Sequence, residues 1–184
     1  MTKIEYPYHD SKMPVELLQL DQSNPRLPDF VQGKDVVSII NYLLEEESTL
    51  ELMQAISVKG FFQGEQLLVV PTEGGHFKVV EGNRRLTAVF LLNQPSLATV
   101  QTLLVNKIHK SAEISLPISS LPVMVFENEA EIHDYLGFRH VTGIQPWNLR
   151  QKAKYLFTLN ESAYSHLKFE ESCDEIRKVI GSRK

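Results

Sequence analysis

Phe77-Lys78-Val79-Val80-Glu81-Gly82-Asn83-Arg84-Arg85-Leu86-Thr87-Ala88-Val89-Phe90-Leu91-Leu92 reads as a strand, a tight glycine turn and a helix whose first turn carries two adjacent arginines. The apolar run 77–80 suits a buried strand, and Leu86, Val89, Phe90 and Leu91 recur at helical spacing. Gly82 therefore falls where the chain reverses, and Arg84 and Arg85 fall at a helix N-terminus. Unpaired backbone N–H groups and the positive end of the helix dipole already point there, so cations at that end oppose the dipole rather than stabilise the helix. Two arginines so placed make sense as a receptor for an anion, most naturally a phosphate. Adjacent helical positions point about 100° apart, so one arginine meets the ligand squarely while the other can lock onto a carboxylate. Arg84 is the first choice for the ligand.

Working outward, the 184 residues are 42% hydrophobic and 23% charged, an ordinary globular composition able to bury roughly 70% of the unfolded surface. No apolar run approaches the roughly 20 residues of a membrane span, and the first eight residues lack the apolar core of a signal peptide. Cys173 is the lone cysteine, which excludes an internal disulfide and a multi-cysteine metal site. The chain reads as cytoplasmic. The net charge of −4 argues against a surface that attracts polyanions as a whole. Basic clusters are local: Arg84-Arg85, 150–154, Arg177-Lys178 and Arg183-Lys184.

The remaining elements follow from periodicity and punctuation. A short strand is expected at 13–20, then a proline-bounded loop over 21–28. Helices are expected at 34–47, with an apolar stripe of Val37, Ile40 and Leu44, and at 49–59, capped at Thr49 and ended by Gly60. Strands 67–71 and 76–81 form a hairpin across 72–75. Pro95-Ser96 caps a further helix to about Val105, a strand covers 121–126, and Asn128 caps a helix ending near Gly137. From Pro146 the chain reads helical, with segments at 147–159 and 169–180. The close, Ile176-Arg177-Lys178-Val179-Ile180-Gly181-Ser182-Arg183-Lys184, has the cadence of a helix-turn-helix cut where its recognition helix would begin, as in a piece of a longer protein. Hairpin-connected strands mixed with helices argue for an α+β fold, divided into a domain at 1–145 and a helical segment at 146–184.

Three stretches in order carry a family resemblance: Asn24-Pro25-Arg26, Lys59-Gly60-Phe61-Phe62-Gln63-Gly64-Glu65-Gln66 with the following strand to Pro71, and Glu81-Gly82-Asn83-Arg84-Arg85-Leu86-Thr87-Ala88. Over 14–143 they resemble the N-terminal domain of the ParB/sulfiredoxin superfamily, and the trailing helices resemble its helix-turn-helix. The resemblance implies a small mixed sheet with flanking helices, and a Gly-Glu-Arg-Arg-like box that cradles nucleotide phosphates. It further implies an NTP ligand (CTP or ATP), DNA as partner, a bacterial setting and a homodimer. The chain departs from the pattern at three places. Gln66 stands where proline is usual, Asn83 replaces the box glutamate, and Arg139-His140-Val141-Thr142-Gly143 replaces a box that supplies a metal-coordinating carboxylate and an amide. Magnesium ligation and a CTP preference are therefore left open, and no metal ligand is identified. A sulfiredoxin needs a cysteine in the loop of Gly82, Asn83 and Arg84, where there is none.

The expected phosphate site comprises Gly82, Asn83, Arg84 and Arg85. Thr87 either bonds a phosphate or back-bonds to its own helix. Glu65 orients an arginine, holds a metal or is a loop carboxylate in water, and Arg26 either clamps the ligand or pairs with a carboxylate. Arg139 and His140 stand at the third box, His140 as phosphate donor or general base. Ser182, Arg183 and Lys184 are the candidate DNA contacts. Gly60 is a helix cap or meets the ligand, Trp147 is a hydrophobic anchor between subdomains or a base-stacking platform, and Phe61 and Phe62 pack in the core or meet a nucleobase. The sequence contains no Ser-His-Asp order, zinc spacing or Walker loop. Enzymatic readings are limited to slow NTP hydrolysis or a nuclease, and a ligand-free interaction domain is the bland alternative.

Overall fold

The computed structural model describes residues 8–24, 27–46, 48–137, 156–157, 160–161 and 164–180. Five strands form one sheet: β1 Tyr8–Pro14, β2 Leu18–Leu20, β3 Leu67–Pro71, β4 Phe77–Glu81 and β5 Ser120–Phe126. Their spatial order is β1-β5-β3-β4-β2. β1 runs antiparallel to β5, β5 parallel to β3, β3 antiparallel to β4 and β4 parallel to β2. This is the mixed sheet expected of the α+β reading. β3, the continuous apolar run Leu67 to Val70, is buried on both faces because it occupies the centre of the sheet.

The two faces of the sheet carry different cores, as the period-2 alternation of side chains requires. Leu67, Val69, Val79, Val123 and Val125 point to the larger core, built with residues of α1 Val36–Glu46, α2 Thr49–Lys59, α3 Asn83–Asn93 and α4 Thr102–Lys110. Leu68, Val70, Val80 and Phe126 point the other way, onto Ile132 of α5 Glu129–Gly137. α6, Phe169–Ile180, packs on α2 and buries Ser172 and Ile176.

Local signals placed most elements. Asp35 caps α1, accepting the Ser38 N–H at 3.1 Å and the Ser38 hydroxyl at 2.7 Å. Gly60 ends α2 with φ 77 and donates its N–H to Ile56 O at 2.8 Å. Asn128 and Glu131 form a reciprocal cap on α5, Glu131 N–H to Asn128 Oδ1 at 3.2 Å and Asn128 Nδ2 to Glu131 Oε1 at 3.1 Å.

Three expectations need correction. The single strand at 13–20 is instead the end of β1, a 3-10 turn at Val15–Leu17 and the three-residue β2. Thr49 does not cap its own helix: its Oγ1 donates to Leu43 O at 2.6 Å and satisfies a carbonyl at the end of α1. The helix expected from Pro95 is only a 3-10 turn, Pro95–Leu97, because the chain extends at Ala98 to pack Leu97, Ala98 and Val100 on the core. The helix proper, α4, starts at Thr102. The helix at 147–159 falls outside the described residues except for 156–157, which are helical, and the division at 145/146 also falls outside them.

Candidate functional site

Parallel pairing of β2 with β4 sets the site. Both strands end at the same sheet edge, so the chain leaves Leu20 into Asp21 beside the place where it leaves Glu81 into Gly82. The carboxyl edge of parallel strands is where open sheets bind ligands, because loops diverge there and leave a crevice. Gly82, at φ 106 and ψ 17, makes the left-handed turn and accepts the first helical bond of α3, from Leu86 N–H at 2.9 Å. The amides of Asn83, Arg84 and Arg85 thus form the first turn of an eleven-residue helix, where backbone N–H groups have no intrahelical acceptor.

Asn83 joins the two loops. Its Oδ1 accepts the Asp21 N–H at 3.0 Å, and its Nδ2 donates to Val79 O at 2.8 Å. A second asparagine does the same from the other side, Asn24 Nδ2 donating to Val80 O at 3.2 Å. The Asp21 carboxylate closes the loop on itself by accepting the Ser23 N–H at 3.0 Å. Asp21 and Asn24 are buried. With both ends of its amide engaged, Asn83 offers a ligand its backbone N–H, while its side chain holds the crevice in shape.

The two arginines have different surroundings. Arg85 is only 13% exposed, and its Nη1 donates to Glu65 O, to Gln66 O at 3.2 Å and to Glu65 Oε2 at 3.2 Å. Its Nη2 lies 3.7 Å from Oε1 of Glu81, the last residue of β4 across the glycine turn. The Arg85 charge is thereby balanced by two carboxylates of the fold, and Glu65 is placed as an orienting carboxylate. Arg84 is half-buried at the second helical position. Thr87 is fully buried and its Oγ1 has no hydrogen-bond partner among the described residues, the back-bond to its own helix included. An open concavity of about 490 Å³ runs along the β2 edge of the sheet, lined by Leu18, Leu20, Asp21, Gln22, Lys78 and Phe90, with none of Gly82, Asn83, Arg84 or Arg85 in its lining. Lys78 is held there by Glu129 of α5, Nζ to Oε1 at 2.6 Å.

Gly82, Asn83, Arg84, Arg85 and Glu65 thus come together at one sheet edge. Arg26, Arg139, His140, Trp147, Ser182, Arg183 and Lys184 lie outside the described residues. Phe61 packs against the large core, whereas Phe62 is exposed. Among the described residues no group of three or more His, Cys, Asp or Glu side chains converges as a metal site, and the carboxylates beside the turn, Glu65 and Glu81, face Arg85. No described helix is long and apolar enough to cross a membrane. Sequence reasoning missed Asp21 and Glu81. Glu81 meets Arg85 across the glycine turn, from the end of β4 to the first turn of α3, and Asp21 meets Asn83 across 62 residues, so neither pairing follows a helical or strand period.

No protein-family model and no curated protein matches the chain. Solved structures do. The chain is similar to the C-terminally truncated chromosome-partitioning protein ParB from Caulobacter crescentus complexed with CTP-gamma-S, at 18% identity and TM-score 0.58, over 95% of this chain and 72% of that one. The same truncated ParB complexed to the centromeric parS site matches at 20% identity over 94% of this chain and 66% of that one, with a TM-score of 0.36 that adds nothing to the comparison. The likeness establishes a ParB-like fold.

Proposed function

We propose that this chain is a ParB-like nucleotide-binding domain of a DNA-binding protein, with nucleotide phosphates held at the Gly82-Asn83-Arg84 turn and binding coupled to DNA engagement or dimerisation through the C-terminal helices. The observation that carries the reading is the turn itself. A left-handed glycine delivers the chain directly into the first-turn amides of α3 at the carboxyl edge of a parallel strand pair, where the dipole and the amides favour an anion. Asn83 and Asn24 hold the facing loop in place before any ligand arrives, so little ordering cost falls on binding. Arg84 supplies the charge-assisted contact. The fold is similar to that of a protein complexed with CTP-gamma-S, which makes a nucleoside triphosphate the first ligand to try.

The direct test is calorimetric titration with CTP, ATP and GTP, with and without magnesium, beside Arg84→Ala. The expected result is binding of one nucleotide that weakens about 10-fold to 100-fold in the variant, the value of one charged hydrogen-bonding group. Equal binding by Arg84→Ala, or no binding of any nucleotide by the parent, refutes the reading.

A further inference from the structure

Arg85 is tied to a segment that leads away from the turn. Its guanidinium bonds to the carbonyls of Glu65 and Gln66 and to the Glu65 carboxylate, which form the short connection between α2 and β3. That connection leaves α2 at Gly60 and turns back through Glu65 N–H to Phe62 O at 3.0 Å. α2 is also the helix on which α6 packs, through the buried Ser172 and Ile176. One arginine of the turn therefore grips, at its β3 end, the loop that leaves the helix carrying the C-terminal segment.

The two partners of the grip differ in exposure. Arg85 is fixed at 13% exposure, but the Glu65 side chain is 54% exposed. Its carboxylate reaches water, so the contact can open without leaving an unpaired carboxylate buried. An anion held at the first turn of α3 adds negative charge beside Glu65 and Glu81, and like charges at that range repel. The occupied and empty turn consequently favour different Glu65–Arg85 arrangements, which is the differential interaction that coupling requires.

From these contacts we infer that Arg85 is a positioning residue, not a phosphate ligand: it transmits occupancy of the turn through Glu65 and Gln66 to α2 and so to α6. The inference rests on the nucleotide reading above. Its test combines calorimetry with hydrogen-exchange mass spectrometry on the 184-residue chain, using CTP and ATP as probes, for the parent, Arg84→Ala, Arg85→Ala and Arg85→Lys, each checked for folding by circular dichroism. Lysine keeps the charge but cannot span three acceptors, so it also decides the matter where alanine does not fold. In the parent, nucleotide changes exchange in 61–66 and in α6. Both Arg85 variants are expected to keep affinity within about threefold of the parent while the nucleotide-linked change in α6 falls at least about fivefold. Without nucleotide, their 61–66 amides exchange faster than the parent's. Loss of affinity in Arg85→Lys equal to that in Arg84→Ala makes Arg85 a ligand arginine and overturns the inference. Intact affinity with an intact α6 response overturns it as well. A parent chain that binds neither nucleotide overturns the underlying reading, an outcome visible without any variant.

Discussion

Replacing Gly82 by alanine tests the geometry on which the site rests. At φ +106 an L-residue is strained, at about 1–2 kcal/mol for left-handed backbone. A Cβ there would sit 2.4 Å from Leu67 Cδ2 and 3.3 Å from Arg85 Nη2. Leu67 is fully buried in the central strand, so its methyl cannot swing into solvent, and forcing a methyl into a packed core costs about 1–3 kcal/mol. The expected loss is therefore about 3 kcal/mol, which for a chain of this size lowers Tm by about 6–12 °C. Urea unfolding and a thermal melt monitored by circular dichroism measure it. Gly33→Ala is the matched control, because Gly33 has φ +68 but nothing within 4 Å of the new Cβ. It carries the backbone strain alone, about 1–2 kcal/mol. Gly64, with neither positive φ nor a near neighbour, should accept alanine without loss. A Gly82→Ala variant no less stable than Gly33→Ala would show that Leu67 and Arg85 do not close on the turn as described.

Asn83→Ala leaves the Asp21 N–H and the Val79 carbonyl without their side-chain partner, a loss of about 1–3 kcal/mol readable as a lower urea midpoint with an unchanged m-value. Asp35 is held below its ordinary pKa by the Ser38 hydroxyl and then by the Ser38 backbone N–H. A lowered folded pKa means that its stabilising contribution is present above the unfolded value and is lost as pH falls through the folded one. Asp35→Ala should therefore narrow its stability deficit relative to the parent as pH falls through that window, measured by unfolding at a series of pH values; an unchanged deficit refutes the cap. Ile176→Ala removes a buried side chain between α6 and α2. It should speed amide exchange in α6 by at least about tenfold, equivalent to roughly 1.4 kcal/mol or more, with the sheet strands little changed.

The elements read correctly from the chain are those whose cause is local. Gly60 ends α2, Gly82 starts α3, and Asn128 with Glu131 starts α5, each through contacts within about one helical turn. The hairpin of β3 and β4 shows in two apolar runs around 72–75. The fold class and the position of the glycine turn before α3 were legible on the same grounds. β1 was not, because Tyr8–Pro14 carries His9, Asp10, Ser11 and Lys12, polar residues with no apolar alternation. Only pairing with β5 makes that segment a strand.

Thr49 looked like a cap, and only the packing of α1 against α2 turned its hydroxyl to Leu43. The same limit applies at the site. Sequence placed two arginines at a helix start and allowed that one would find a carboxylate. It did not determine that the Glu65 loop would reach Arg85 or that Asp21 would face Asn83 across the parallel strand pair. The physical reason is one of range. Turns, caps and helix dipoles act over a few residues and are written in adjacent positions, whereas the partner of a charged or amide side chain depends on which strands lie side by side, and burial of the whole sheet decides that.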